Sequence, residues 1–202
     1  MDAQFWDDMY SSRDQVFSGN PNGVLITEVT GLPPGRALDV GCGEGGDASW
    51  LARHGWRVTA IDISEVALRR AADSYPDLAD RVEWTRSDLT VTPPPAGAFD
   101  LVSVQYIPIA RQPDHTALRG LLAAVAPGGT LLIASHNLAD FPAEHEHAAS
   151  WGDYYQPDDI AGFLDQGWTV LVNETRPRTA PAPEGTHHVR DVVLRAYRLP
   201  RG

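Results

Sequence analysis

The chain contains no lysine, so a Tyr-x-x-x-Lys pair cannot be built from it. It has one cysteine, Cys42, in 202 residues. A single cysteine excludes an internal disulfide and fits a reducing cytoplasm. Positive charge is scarce. The 16 basic residues are outnumbered by 27 acidic ones, giving a formal net charge of −11 and a sequence pI of about 4.9. That balance argues against general affinity for nucleic acid or an anionic membrane surface, and no basic run exists to build a local groove. No stretch of about 18 apolar residues occurs, so no transmembrane helix is expected. The N-terminus, MDAQFWDDMYSS, lacks the basic and apolar regions of a signal peptide. No internal repeat is visible. What is present is 43% hydrophobic residues, enough for a sizeable core in one domain spanning 1–202.

The most informative stretch is Ala37 to Ser64, ALDVGCGEGGDASWLARHGWRVTAIDIS. Leu38-Asp39-Val40 is short, apolar and bounded by turn residues, as a buried parallel strand is. Gly41, Gly43, Gly45 and Gly46 then make a turn with almost no side chains. Asp47 is placed to cap the following helix, and Ala48, Leu51 and Ala52 give that helix an apolar face. Gly55 ends it. Arg57 to Ile63 is the next strand, and it finishes on Asp62. A strand, a bare turn and an acid about 20 positions on form the mononucleotide-binding half of a doubly wound sheet. The glycines let backbone approach a ligand, and the carboxylate can accept from a ribose diol.

Around this stretch the chain divides into an N-terminal helical segment (1–35), a cofactor-binding core (36–136) and a C-terminal part with a lid loop, a helix and a strand pair (137–202). Residues 2–12 are expected to form a helix, because Phe5, Trp6, Met9 and Tyr10 share one face. A second helix is expected over 22–31. Ser64 reads as the N-cap of a helix to about Ser74, stopped by Pro76. Val82 to Arg86 and Phe99 to Tyr106 read as strands. Asp114 can cap a helix through Leu118, Leu121 and Val125. That helix closes at Pro127-Gly128-Gly129, and a strand follows over Thr130 to Ser135. Residues 137–156 carry no periodicity and read as a loop or lid. A helix start at Pro157 is followed by strands over 168–175 and 189–198. Alternating strands and helices imply a parallel sheet with right-handed crossovers. No helix separates the last two strands, so they are expected to be antiparallel.

These residues resemble the class I S-adenosylmethionine-dependent methyltransferases. Asp39-Val40-Gly41-Cys42-Gly43-Glu44-Gly45 is similar to that family's first motif, an acid two places before G-x-G-x-G. Asp62 matches the acid ending the second strand, and Asp88 the acid after the third. Phe99-Asp100-Leu101-Val102 resembles the fourth-strand motif. The stretch Leu121 to Ile133 resembles the helix-turn-strand that follows it. The resemblance implies an α/β fold: a Rossmann-like, doubly wound, seven-stranded sheet, mostly parallel, with an antiparallel C-terminal pair and helices on both faces. The N-terminal Phe5-Trp6-Asp7-Asp8-Met9-Tyr10 and Phe17 to Asn22 are similar to the entry segment of small bacterial thiopurine and tellurite-resistance methyltransferases. In those proteins the segment folds over the cofactor. That likeness implies a small-molecule acceptor.

The resemblance implies S-adenosyl-L-methionine as cofactor and S-adenosyl-L-homocysteine as product. The sulfonium supplies a good leaving group, so the protein has mainly to align the reactants and exclude water. The backbone of Gly41, Cys42 and Gly43 would pass under the methionine and ribose moieties. Asp39 would accept from the methionine amino group. Asp62 would accept from the ribose hydroxyls, with Ile63 and Ser64 beside the adenine. Asp88 would accept from the adenine amine, with Leu89 packing on the ring. Gln105 and Tyr106 would lie near the methyl group, and Trp6 and Tyr10 over the cofactor or acceptor. For most of these residues a structural role competes: a loop cap for the acids, core packing for the aromatics. Cys42 reads as a small filler in the turn.

No catalytic residue is assigned from sequence. His136, His145 and His147 lie among Asp140, Glu144, Glu146 and Trp151, without an HExxH signature, and no metal is expected. A histidine could act as general base. His187 and His188 could line the acceptor side, whereas His115 starts a helix and reads as structural. A nicotinamide-dependent oxidoreductase is the runner-up, because Gly41, Gly43 and Gly46 also satisfy G-x-G-x-x-G. A non-catalytic cofactor-binding protein is the other alternative. The acceptor pocket is expected from the N-terminal helix, residues 137–156 and the 176–188 loop.

Overall fold

A computed structural model of the chain describes residues 2–142, 148–179 and 188–200. The chain opens with α1 (Ala3–Ser11) and α2 (Gly23–Val29), then enters the alternating unit β1 (Arg36–Val40), α3 (Gly46–Arg53), β2 (Arg57–Asp62), α4 (Glu65–Ser74) and β3 (Val82–Arg86). There follow β4 (Phe99–Gln105), β5 (Ile109–Ala110), α5 (Thr116–Ala124), β6 (Val125–His136), β7 (Tyr154–Tyr155), α6 (Pro157–Ala161), β8 (Trp168–Pro177) and β9 (Arg190–Arg198). Seven strands make one sheet in the order β3-β2-β1-β4-β6-β9-β8. The first five are parallel to their neighbours. β9 runs antiparallel between β6 and β8. The expected fold class is therefore the observed one, final antiparallel pair included.

Strand alternation explains the two cores. Ala37, Leu101, Leu132 and Val193 point to one face, where they meet α2 and α3 through Leu25, Ala48 and Leu51. Leu38, Val102, Leu131 and Leu194 point to the other, where they meet α5 and α6 through Leu118, Leu121 and Ile160. Successive side chains on a strand point to opposite faces, so a sheet buried on both sides needs unbroken apolar runs such as Leu101-Val102. Each fully buried leucine contributes about 1.5–3 kcal/mol of transfer free energy.

Local chemistry sets the helix starts. Asp2 caps α1 by accepting from the Phe5 amide at 3.0 Å. Ser64 caps α4 by accepting from the Ala67 amide at 3.1 Å. Gln156 and Asp159 form a reciprocal capping box on α6, with Pro157 in its first turn.

Four expectations need correction. Asp47 does not cap α3. Gly45 is the N-cap, in the left-handed region at φ 86°, so the helix starts early enough to place Asp47 inside its first turn. Asp114 accepts from the Thr116 amide and hydroxyl, but the N-cap of α5 is His115, itself left-handed at φ 57°. β6 begins at Val125 and runs through the Pro-Gly-Gly sequence, because Val125 pairs with Phe99 across a register shift. Residues 137–156 are not wholly irregular. Leu138–Asp140 and Ala148–Asp153 are 3-10 turns, and Tyr154–Tyr155 pairs with Ile109–Ala110 as a separate two-stranded sheet. Glu144, His145, Glu146, His147 and His187 lie outside the described residues. Among the described residues, no helix is long and apolar enough to cross a membrane.

Candidate functional site

The strand order reverses between β1 and β4, and ligands bind at the carboxyl ends of strands around such a point. The turn after β1 is there. The amides of Gly41 and Cys42 both donate to the Ile61 carbonyl, at 2.8 and 3.0 Å, which fastens the turn to β2. Gly41 and Gly43 have φ of 68° and 52°, where a side chain is strained. Space forbids one as well. A Cβ at Gly41 would collide with Ile107 Cγ2, and a Cβ at Gly43 would come 2.8 Å from the Tyr10 hydroxyl.

Three acids sit behind this turn. Asp39 is 2% exposed, and its Oδ2 is buried with no hydrogen-bond partner. Burial, then the nearby Asp47 and Asp62 carboxylates, hold its pKa well above the usual carboxylate range. Burial also raises Asp47, although the amide and the side-chain nitrogen of Asn22 donate to it at 2.6 and 2.9 Å. Asp62 is raised by burial too, against the opposing bonds from the Ser64 and Gly43 amides at 2.8 and 2.9 Å. This concentration of buried carboxyl groups favours a cationic ligand. The unpartnered Asp39 oxygen, behind this turn of bare backbone, fits the methionine ammonium of S-adenosylmethionine.

The N-terminal segment is fastened over the same turn. The Glu44 carboxylate accepts from the amides of Val16 and Phe17 at 3.1 and 2.9 Å, and pairs with Arg70 at 3.0 Å. Asp7 accepts from the Ser64 hydroxyl at 2.6 Å and from the Val66 amide at 3.2 Å. Tyr10 is buried, and its hydroxyl lies over Gly43. Trp6 is half-buried, edge-on to Phe5 at 5.4 Å. No local signal announces the Glu44, Asp47 and Asp7 fastenings, because each spans 25 residues or more.

On the adenine side, Ser64 is fully buried, and its hydroxyl is engaged with Asp7 and Ala67. Ile63 is half-buried. Asp88 Oδ1 accepts from the amide and hydroxyl of Thr90 at 2.8 and 2.6 Å, so it does close a local turn. Leu89 packs partly buried against the core on the α5 face. Cys42 is a buried free thiol. Burial, then the Asp39 and Asp62 carboxylates, push that thiol well above its ordinary range.

The end of β4 carries a second constellation. Gln105 donates to the Ser103 hydroxyl at 3.0 Å, while its Oε1 is buried and unpartnered. Tyr106 takes a left-handed φ of 57°, a strain of about 1–3 kcal/mol that the surroundings must hold. Its hydroxyl donates to Asp191 Oδ1 at 2.8 Å. Asp191 also accepts from His188 Nε2 at 3.1 Å and pairs with Arg178 at 3.3 Å. Burial works to raise Asp191, but the His188 and Tyr106 bonds and the Arg178 charge bring it below the usual range. Burial chiefly, with Asp191 adding, raises Tyr106, which stays a phenol. His136, at the end of β6, pairs in register with Asp191. Its ring centroid is 3.7 Å from that of His188 and 5.1 Å from that of Tyr106. His136 and His188 thus meet at adjoining strand ends. His115 instead meets the Tyr155 hydroxyl, away from this cluster. No group of three or more metal-type ligands is arranged for a metal ion among the described residues.

A parallel sheet that reverses at β1 and β4, closes with an antiparallel pair and carries acids at the ends of β1 and β2 defines the class I methyltransferase architecture. Comparison with known proteins agrees. A methyltransferase-domain family matches residues 37–129. Ubiquinone biosynthesis O-methyltransferase of Xanthomonas campestris pv. campestris is 32% identical over 197 residues, covering 95% of this chain and 70% of that protein. An uncharacterised methyltransferase of Mycobacterium tuberculosis is 29% identical over 181 residues, covering 89% and 87%. The N-methyltransferase NodS from Bradyrhizobium japonicum, solved with S-adenosyl-L-homocysteine, superposes with a TM-score of 0.67 at 22% identity, covering 88% of this chain and 84% of that one. The chain belongs to the class I S-adenosylmethionine-dependent methyltransferases, and it is an enzyme of that family rather than a nicotinamide-dependent oxidoreductase.

Proposed function

We propose that this enzyme methylates a nucleophilic N, O, S or similar atom of a small molecule, by in-line displacement, in the cytoplasm and without a nucleic acid partner. One observation carries the reading. The carboxyl ends of β4 and β6 place Tyr106 and His136 one and two strands from the glycine turn of β1. At roughly 4.8 Å per strand, the acceptor-side rings stand about one small-molecule width from the cofactor loop. The acidic surface and the single buried cysteine support the remaining two clauses.

S-adenosylmethionine supplies an activated methyl group on sulfur. Asp39 would take the methionine ammonium, for which its unpartnered oxygen and the carboxylates around it are suited. Gly41, Cys42 and Gly43 would present backbone to the ligand. Asp62 would hold the ribose diol with the lone pairs that the Gly43 and Ser64 amides leave. Ile63, Ser64, Asp88 and Leu89 would frame the adenine: Ser64 by fixing the chain, Asp88 through the oxygen not engaged with Thr90. Gln105 and Tyr106 would border the methyl group. Tyr10 would exclude water above Gly43, with Trp6 supporting the same helix.

The test is thermal stabilisation by S-adenosylhomocysteine and by NAD(H), followed by a methyl-transfer screen over thiols, phenols, amines and selenide or tellurite. Stabilisation by S-adenosylhomocysteine with turnover of at least one acceptor is expected. Binding with no turnover over a broad panel would favour a non-catalytic protein.

A further inference from the structure

We infer that the acceptor is a planar aromatic or enolic hydroxyl compound, seated against the rings at the ends of β4, β6 and β9, and that His136 receives its proton. This rests on the methyl-transfer reading above and narrows it.

The ring cluster is the first ground. Tyr106, His136 and His188 lie within about one ring diameter of each other, and Phe141 continues the set, edge-on to His136 at 5.8 Å. Trp151 extends it from Phe141, also at 5.8 Å. Such a wall favours a flat, apolar-faced ligand over a flexible polar one.

The second ground is the proton inventory of that wall. His188 is already engaged: both of its ring nitrogens lie 2.7 Å from Arg178 Nη1, and its Nε2 lies 3.1 Å from Asp191 Oδ1. Asp191 already accepts from Tyr106, His188 and Arg178, so it is a compensated carboxylate and offers little to an ammonium. Tyr106 is a donor committed to Asp191. His136 differs from all of these. Its Nδ1 is buried and has no hydrogen-bond partner. Such an atom ordinarily has a partner, and a hydroxyl hydrogen on the acceptor would supply one.

The groups around His136 are Tyr106 from β4, His188 and Asp191 from the β9 side, and Arg178 beyond β8. Burial, then the His188 and Arg178 charges, lower its pKa to about 4, with Asp191 opposing. The imidazole is therefore a neutral hydrogen-bond acceptor at ordinary pH. A base this weak cannot ionise a phenol in advance. It can take the proton late, once the oxygen is bonding to carbon and has become strongly acidic. In that step the oxygen–carbon bond forms and the carbon–sulfur bond breaks, with the electron pair going to sulfur. The hydroxyl proton moves to the His136 ring and then to water. No further reactant is needed.

The experiment uses the full chain, S-adenosylmethionine and substituted phenols of graded acidity, from methoxyphenol to nitrophenol, with thiophenol and aniline as controls. Wild type, His136→Ala and His136→Asn are compared. The expected result is O-methylation by wild type. In both variants kcat on weakly acidic phenols falls by about 10²–10⁴-fold, the scale of general base catalysis, while S-adenosylhomocysteine affinity is unchanged. The loss shrinks for nitrophenol, which ionises without help. An equal loss across the series, or none, would overturn the role of His136. Methylation of thiophenol or aniline alone, or of no panel member despite bound S-adenosylhomocysteine, would overturn the acceptor class while leaving the cofactor reading intact. Failure to bind S-adenosylhomocysteine would overturn both.

Discussion

Asp62 Oδ2 accepts the Gly43 amide at 2.9 Å, so the acid that ends β2 and the turn that follows β1 behave as one unit. The same carboxylate accepts the Ser64 amide through Oδ1 at 2.8 Å. Asp62→Ala would remove the proposed ribose contact and also loosen the turn. We expect cofactor affinity to fall by about 1–3 kcal/mol, the scale of a lost hydrogen bond to a charged group, together with a lower Tm. Asp62→Asn keeps one acceptor oxygen and should recover part of the Tm. Calorimetric titration with S-adenosylhomocysteine decides; an unchanged Kd in Asp62→Ala would remove the ribose role.

Asp39, Asp47 and Asp62 all have raised pKa values, in each case chiefly through burial. An acid whose folded pKa exceeds its unfolded value binds its proton more tightly when folded. Its contribution to stability is complete below the unfolded pKa, about 3.9 for Asp, and is lost as pH rises through the folded pKa. From these three groups the ligand-free protein should lose stability as pH rises above about 4. A methionine ammonium beside Asp39 favours the ionised carboxylate, so cofactor binding should release protons in acidic buffer and tighten as pH rises. Calorimetry in buffers of different ionisation enthalpy reads the protons released. Net uptake would contradict the ammonium contact.

Glu44 holds the N-terminal segment through the Val16 and Phe17 amides and through Arg70, whose second nitrogen donates to the Arg13 carbonyl at 2.6 Å. Glu44→Ala should free this segment. Removing these charge-assisted bonds is worth about 1–3 kcal/mol of local stability, so cleavage after Arg13 by trypsin should quicken roughly 10- to 100-fold. Timed digestion with mass analysis checks this, and cleavage at the wild-type rate would show that Glu44 does not govern the segment.

Cys42 is buried and its thiol is pushed up, so little thiolate forms. A disulfide reagent should label the native protein far more slowly than the denatured protein, and Cys42→Ala should retain methyl transfer. Rapid native labelling would mean that the glycine turn opens readily.

Much of the fold was legible because its signals are local. Val82 to Arg86 was recognised as a strand with its observed limits, and Ser64 as a cap, since each depends on neighbouring residues. The final antiparallel pair followed from the missing crossover helix between β8 and β9. The spacing of Asp47 suggests a cap, but its partner, Asn22, lies 25 residues away, beyond the reach of local signals. The pairing of Tyr154–Tyr155 with Ile109–Ala110 was invisible for a similar reason, as two-residue strands carry no periodicity.

The sequence by itself determined the alternating α/β pattern, the bare turn after β1 and the acids that follow the strands. These rest on backbone preferences and on spacing along the chain. Only the tertiary structure decided what the acids do. It left one oxygen of Asp39 unpartnered, tied Asp62 to Gly43 and engaged Asp88 with Thr90. It also gathered Tyr106, His136, His188 and Asp191, spread over 86 residues of sequence, at adjoining strand ends. A side chain's role in a buried site depends on which groups desolvate it and which donors reach it, and those neighbours come from elements that the order of residues does not place side by side.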